Sequence, residues 1–193
     1  MRLVFATGNQ GKMREIREIM EGSGYDIVSM KEAGVEADIV EDGTTFEENS
    51  LIKARAIAKL LPNDVVVADD SGLEVDALGG EPGIYSARYL GEDTSYDIKN
   101  ANIIERMEGV PKDKRTARFI AAVAAVFPDG REEVVRGTIE GYIGYEPAGC
   151  GGFGYDPIFY LYETDHSTAE LSAEDKNAIS HRGKALREIR KYL

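Results

Sequence analysis

The run Val65-Val66-Val67-Ala68 constrains the fold more than any other stretch of this chain. Four consecutive apolar residues offer no side to water, so they suit a central strand covered on both faces by helices. The run passes directly into Asp69-Asp70-Ser71-Gly72. Carboxylates at the end of a buried strand stand where α/β folds place their ligands. A turn or a helix cap also uses an acid at such a place. One cap needs one oxygen, and two adjacent acids exceed that need. Neighbouring residues of an extended chain point to opposite faces, so at most one of Asp69 and Asp70 meets a ligand directly.

The rest of the chain supplies partners for such a strand. Residues 3–6 read as a second short buried strand, residues 7–12 as a turn, and Met13, Ile16 and Met20 as one face of a helix. A further strand is expected around residues 27–30. Thr44-x-x-Glu47 has the form of a capping box, so a helix should begin there and stop at Pro62. Leu51, Ala54, Ala58 and Leu61 give that helix an apolar stripe, while Thr45, Asn49 and Lys53 share a polar face. Tyr96, Asn100, Ile103 and Met107 support another helix. Two strand-like segments flank the turn Pro128-Asp129-Gly130, and a last helix follows Ser180. The mixture predicts an α/β fold with a mixed sheet. With 193 residues, the chain is read as a single domain, residues 1–193.

Charge narrows the partners. There are 23 Lys and Arg residues against 35 Asp and Glu, a formal net charge of -12. So acidic a chain suits neither a nucleic-acid backbone nor an anionic membrane, though a metal and a local cation cluster could still hold a small polyanion. Cys150 is the single cysteine, which excludes an internal disulfide and a cysteine-based metal cage; its glycine neighbours favour a loop residue over a nucleophile. No apolar run approaches the roughly 20 residues of a membrane helix, and the first residues lack a secretory pattern. A cytoplasmic protein is expected.

Several segments could carry chemistry. Thr7-Gly8-Asn9-Gln10-Gly11-Lys12 lies between a strand and a helix, where free amides and the helix dipole favour an anion and Lys12 adds a charge. Its glycine spacing is not that of a Walker loop, and a plain strand-to-helix turn explains it equally well. Asp69 and Asp70 offer hard oxygen ligands of the kind magnesium takes together with substrate phosphates. Glu36, Asp38, Glu41 and Asp42 form an acidic loop that could add a ligand or could simply be solvated. Phe153-Gly154-Tyr155-Asp156 sets two aromatics among glycines, which suits either stacking on a base or a packed turn. Lys176, His181 and Arg182 gather three donors near a helix start, where they serve an anion, a base or the helix end.

Taken in order, these segments resemble the inosine triphosphate pyrophosphatase family, the non-standard purine NTP pyrophosphatases. The resemblance runs nearly end to end. It is carried by Ala6-Thr7-Gly8-Asn9 with Lys12, Thr45-Phe46-Glu47-Glu48-Asn49 with Lys53-Ala54, and Ala68-Asp69-Asp70-Ser71-Gly72-Leu73. It continues in Pro82-Gly83-Ile84-Tyr85-Ser86-Ala87-Arg88-Tyr89, Gly152-Phe153-Gly154-Tyr155-Asp156-Pro157, Ala169-Glu170-Leu171, Lys176-Asn177 and Ser180-His181-Arg182. It implies a long central mixed β-sheet with flanking helices, two lobes around a nucleotide cleft, and a homodimer. It implies hydrolysis of ITP, dITP or XTP between the α- and β-phosphates to NMP and pyrophosphate, with Mg²⁺. The loop from Thr7 to Lys12 and Lys53 would hold the triphosphate. Asp70 would be the proton acceptor and a metal ligand, with Glu41 as the second metal ligand. Ser71, Phe153, Gly154, Tyr155, Asp156, Lys176, His181 and Arg182 would line the nucleotide site. The alternative is a non-catalytic purine nucleotide sensor on the same scaffold.

Overall fold

The computed structural model describes residues 2–193. Its strands are β1 (Arg2–Phe5), β2 (Asp26–Ser29), β3 (Val65–Val75), β4 (Thr116–Val126), β5 (Glu132–Ile143) and β6 (Phe159–Tyr160). Its α-helices are α1 (Gln10–Ile19), α2 (Phe46–Ala58), α3 (Tyr96–Arg106), α4 (Ala173–Ile179) and α5 (His181–Ile189). The strands form a sheet in the order β2-β1-β3-β4-β5-β6. It is mixed: β1 pairs parallel with β2 and with β3, and β5 pairs antiparallel with β6. This is the α/β class that the strand run at residue 65 predicts. Among the described residues no helix is long and apolar enough to cross a membrane.

The chain divides into two compact units. The first comprises Met1–Ser71, Ala121–Gly137 and His181–Leu193; the second comprises Gly72–Ile120 and Thr138–Ser180. In the first unit the side chains of each strand alternate between two cores. Leu3, Phe5, Val65, Val67, Ala121 and Val123 face Met13, Ile16 and Leu186, from α1 and α5. Val4, Ala6, Val66, Ala68 and Ala124 face Ala54 and Ile57, from α2. A strand apolar on both sides is therefore sandwiched between helices, and each fully buried valine contributes about 1.5–3 kcal/mol of transfer free energy. Helix α5 lies directly on β5 at Gly137. A Cβ there would stand 2.1 Å from the carbonyl oxygen of His181 and 2.7 Å from the amide nitrogen of Ala185.

The second unit has its own core, in which Leu73, Val75, Ile103, Met107, Ile143 and Phe159 pack together. Arg115 is fully buried there. Its guanidinium donates to the carbonyls of Met107, Ile143 and Gly144, which closes the C-terminal end of α3 with a cation.

Three local features depart from the sequence pattern. Strand β3 runs on to Val75, so Asp69-Asp70-Ser71-Gly72 continues the strand where a turn was an open alternative. Helix α2 starts one residue later than Thr44-x-x-Glu47 suggests. Thr45 is the N-cap, accepting from the Glu48 amide, while Glu48 reaches back to the amide and hydroxyl of Thr44. A short extra helix, α4, carries Lys176 and ends at Ile179, with Ser180 as the C-cap between it and α5.

Candidate active site

In the first unit, β1 delivers the chain to Thr7-Gly8-Asn9, and α1 begins at Gln10. Asn9 caps the helix: its Oδ1 accepts from the Lys12 amide at 3.0 Å. Gly8, Asn9 and Gln10 are exposed, so the loop stays open to solvent at the positive end of the helix dipole. Lys12 reaches from the first turn of α1 to Asp69, with Nζ 2.6 Å from Oδ1 and 3.3 Å from the backbone oxygen. Burial lowers the Lys12 pKa, with Asp69 pulling in the opposite direction.

Asp69 belongs to a buried ionic cluster. Arg182, near the start of α5, donates from Nε to Asp69 Oδ2 at 3.0 Å, from Nη2 to Ser71 Oγ at 2.9 Å and from Nη1 to Glu15 Oε2 at 2.5 Å. Ser71 Oγ also donates to Asp69 Oδ1 at 2.9 Å. Burial alone would raise the Asp69 pKa, but Arg182 and Lys12 outweigh it and hold the carboxyl well below the usual range. Ser71 and Arg182, both expected at a nucleotide site, are thus joined to Asp69. His181 opens α5 beside Arg182 and is buried.

Asp70 points away from that cluster, as the alternation of β3 requires. Its Oδ1 accepts from Lys53 Nζ at 2.9 Å, and the same ammonium lies 2.9 Å from Glu41 Oε2. Burial is the largest influence on Asp70 and raises its pKa against the pull of Lys53 and Lys12, with Glu41 adding to the rise. Burial works to lower the Lys53 pKa, but Asp70 and Glu41 together carry it upward. Lys53 sits on the polar face of α2 and is buried, as are Asn49 and Ser50 on that helix. Asn49 Oδ1 accepts from the Gly43 amide at 2.9 Å, which ties the acidic loop to α2. In that loop Val35, Ala37 and Ile39 pack against the core while Glu36, Asp38 and Asp42 face solvent. Glu41 is the loop acid that meets Lys53.

Among the described residues no group of three or more His, Cys, Asp or Glu side chains is arranged to hold a metal ion. Magnesium bound with a nucleotide needs fewer, since one or two carboxylates suffice when phosphates complete its shell. Asp70 Oδ2 is buried without a hydrogen-bond partner, and Glu41 and Asp70 converge on a single cation. An orphaned carboxylate oxygen beside a second acid fits an oxygen-seeking divalent ion.

In the second unit, the turn Phe153-Gly154-Tyr155-Asp156 is built on Asp156. Its Oδ2 accepts from the Phe153 amide at 2.9 Å and from Lys176 Nζ at 2.5 Å, and its Oδ1 accepts from Thr168 Oγ1 at 2.7 Å. Gly152 is at φ +65°, and a Cβ there would stand 2.2 Å from Asp156 Oδ2. The two aromatics have different surroundings. Tyr155 lies in the core, its ring edge-on to Tyr96 at 5.1 Å and its hydroxyl donating to the Ser86 carbonyl at 2.7 Å. Phe153 is half-buried, with Lys176 Nζ 5.2 Å from its ring centroid, so it is the more open of the two aromatics. Asn100 Nδ2 secures the turn from α3 by donating to the Gly154 carbonyl at 3.1 Å.

Glu15 is the participant that the sequence pattern misses. On α1 it looks like any surface glutamate, and only the contact with Arg182 reveals it. Cys150 is exposed, which agrees with its reading as a loop residue.

The model of the Ham1 family matches residues 3–192. A protein named dITP/XTP pyrophosphatase from Bacillus subtilis is 47% identical over 190 residues, covering 98% of this chain and 96% of that protein. The solved structure of the Staphylococcus aureus Ham1 protein matches with a TM-score of 0.87 and 41% identity, covering 100% of this chain and 97% of the other. A HAM1 protein from Coxiella burnetii matches with a TM-score of 0.88 and 36% identity over 100% of this chain and 98% of its own. The matched residues include Lys12, Asp69, Asp70, the turn from Phe153 to Asp156, His181 and Arg182, and on this match the chain belongs to the Ham1 family.

Proposed function

We propose that this protein is a magnesium-dependent nucleoside-triphosphate pyrophosphatase that removes dITP, ITP and XTP from the nucleotide pool. The observation that carries the proposal is the convergence of Glu41 and Asp70 on Lys53, with Asp70 Oδ2 left unpartnered, in a chain whose relatives are named for this activity. In the reaction a water oxygen bonds to the α-phosphorus and the bond from that phosphorus to the α–β bridging oxygen breaks. A nucleoside monophosphate and pyrophosphate are released.

The chain's own groups divide the work. Asp70 accepts the proton of the attacking water, for which a buried carboxylate of raised pKa is suited. Lys12, Lys53 and the amides of the Thr7 to Lys12 loop stabilise charge on the departing pyrophosphate. Glu41 and Asp70 would hold the magnesium ion, which supplies neutralisation of phosphate charge and polarisation of the attacked phosphorus. Phe153 offers a stacking face to the base, and Ser71, Gly154, Tyr155, Asp156, Lys176, His181 and Arg182 form or support the nucleotide's surroundings. All 193 residues are read as one catalytic domain acting as a cytoplasmic homodimer, in line with the family resemblance.

A nucleotide panel with separate pyrophosphate and orthophosphate readouts tests the proposal. Pyrophosphate release from dITP, ITP and XTP, dependent on magnesium, is expected. Orthophosphate as the primary product overturns the bond assignment, and binding without any release identifies a sensor. Light scattering on the purified protein tests the dimer.

A further inference from the structure

We infer that Glu15 is a positioning residue for hydrolysis, acting through Arg182 on Asp69 and thereby on the orientation of Asp70. The inference rests on the proposed pyrophosphatase reading and adds to it a residue outside the expected phosphate, metal and base sets.

Glu15 is a glutamate in the body of an amphipathic helix, yet its residue exposure is only 4%. A carboxylate is rarely buried so deeply unless it is paired. Its partner is Arg182, 2% exposed and 2.5 Å away. The remaining donors of that guanidinium reach Asp69 Oδ2 at 3.0 Å and Ser71 Oγ at 2.9 Å. Arg182 therefore joins α1, which begins at the phosphate loop, to the segment of β3 that carries both aspartates.

Charge accounting explains why the glutamate is needed. Lys12, Arg182, Glu15 and Asp69 sum to zero. With a neutral residue at position 15, the buried Arg182 and the half-buried Lys12 both lean on the carboxylate of Asp69, and an undercompensated buried charge is strongly unfavourable. The strain is relieved if Arg182 or Lys12 withdraws from Asp69. Either movement frees the side chain that pins this point of β3. Asp70 is the next residue of β3, so while alternation sets its face, a shift of the backbone at Asp69 moves its carboxylate relative to Lys53. Glu15 is bonded to Arg182, and Arg182 to Asp69 and Ser71, so its effect on chemistry passes through this chain of bonds.

The test compares Glu15→Gln, which keeps size and one acceptor but loses charge, with Glu15→Asp, which keeps charge but is shorter. ITP turnover is measured per folded molecule, with thermal melts alongside. Glu15→Gln is expected to lower kcat by about 10- to 100-fold, the scale of small misplacements at a reacting centre. KM should stay within about threefold, since the loss is of geometry in the transition state rather than of binding. Glu15→Asp should retain more kcat than Glu15→Gln. A merely structural role gives a lowered Tm with kcat unchanged, or Gln outperforming Asp, and either result overturns the inference. Should Glu15→Gln fail to fold, the double variant Glu15→Gln with Lys12→Met restores a neutral set. Recovery of the melt supports the charge argument, and no recovery overturns it. If the wild-type protein releases no pyrophosphate from ITP, the pyrophosphatase reading fails by itself, and the melts of these variants still decide whether Glu15 balances the cluster.

Discussion

Lys53 Nζ donates to Asp70 Oδ1 at 2.9 Å, while the second oxygen of the same carboxylate is buried with no hydrogen-bond partner. Half of the group is anchored and half is held ready. Replacing Asp70 by Asn keeps the shape and the anchor but removes the proposed base and one charge of the proposed metal site. Asp70→Asn should lower kcat for ITP by at least about 100-fold, with a smaller effect on substrate binding. Steady-state kinetics in saturating magnesium check this. Near-normal turnover would remove Asp70 from the base role, and Asp69 would become the candidate despite its bonds to Lys12 and Arg182.

Lys12 and Lys53 both rest on carboxylates, at 2.6 Å from Asp69 and 2.9 Å from Asp70 respectively. A triphosphate offers each ammonium more negative charge than a monophosphate does. Lys12→Ala and Lys53→Ala should each weaken a non-hydrolysable ITP analogue more than IMP, as measured by titration calorimetry. Equal losses for the two ligands would take the lysine out of the phosphate site.

Base selection turns on the 6-position, where hypoxanthine and xanthine carry a keto acceptor and adenine an amino donor. Donors facing that edge leave adenine unpaired, which can be worth about 10⁴-fold in rejection. Arg182 donates to Asp69, Glu15 and Ser71, and so braces the strand that carries the aspartates. Arg182→Lys should therefore lower kcat/KM for ITP and ATP together, whereas His181→Ala should narrow the ratio between them. Guanine shares the 6-keto group, so GTP is expected between ITP and ATP. Hydrolysis of ATP as fast as ITP would sink the house-cleaning role even with the chemistry intact.

Gly137 lets α5 approach β5 with no room for a methyl group, the obstructing atoms being backbone. Gly137→Ala must push the helix and the strand apart, and overpacking of this kind costs about 1–3 kcal/mol. Urea unfolding should show a lower midpoint. Wild-type stability would mean that the contact is looser than the structure has it.

Much of the first unit is legible in sequence because its strands are apolar on both faces and its helices keep their stripes. Val65 to Ala68 and the segment before Thr7 announce themselves, and the opposition of Asp69 and Asp70 follows from strand geometry alone. The extension of β3 through Ser71 to Val75 is hidden, since Asp-Asp-Ser-Gly has the composition of a turn and is kept extended by tertiary pairing. Lys53 is equally ambiguous, because an exposed lysine and one paired with two acids have the same helical address. Glu15 is the extreme case: its partner Arg182 is 167 positions away, and no local pattern distinguishes a glutamate that will be buried. Tyr155 and Phe153 look alike as aromatics between glycines, and only packing sends one into the core.

The opposed side chains of Asp69 and Asp70 also set a parity rule for this segment. Substituting one apolar residue for another in Val65-Val66-Val67-Ala68 alters packing but leaves each carboxylate on its own side. Inserting or deleting one residue ahead of Asp69, with the upstream pairing kept, turns every later side chain to the opposite face. Asp69 would then confront Lys53 and Asp70 would confront Arg182, so the charges would survive while their duties were exchanged. A length change of two restores the faces but moves both acids along the strand by one full repeat. Variation that is harmless when it changes the kind of residue here becomes disabling when it changes the number.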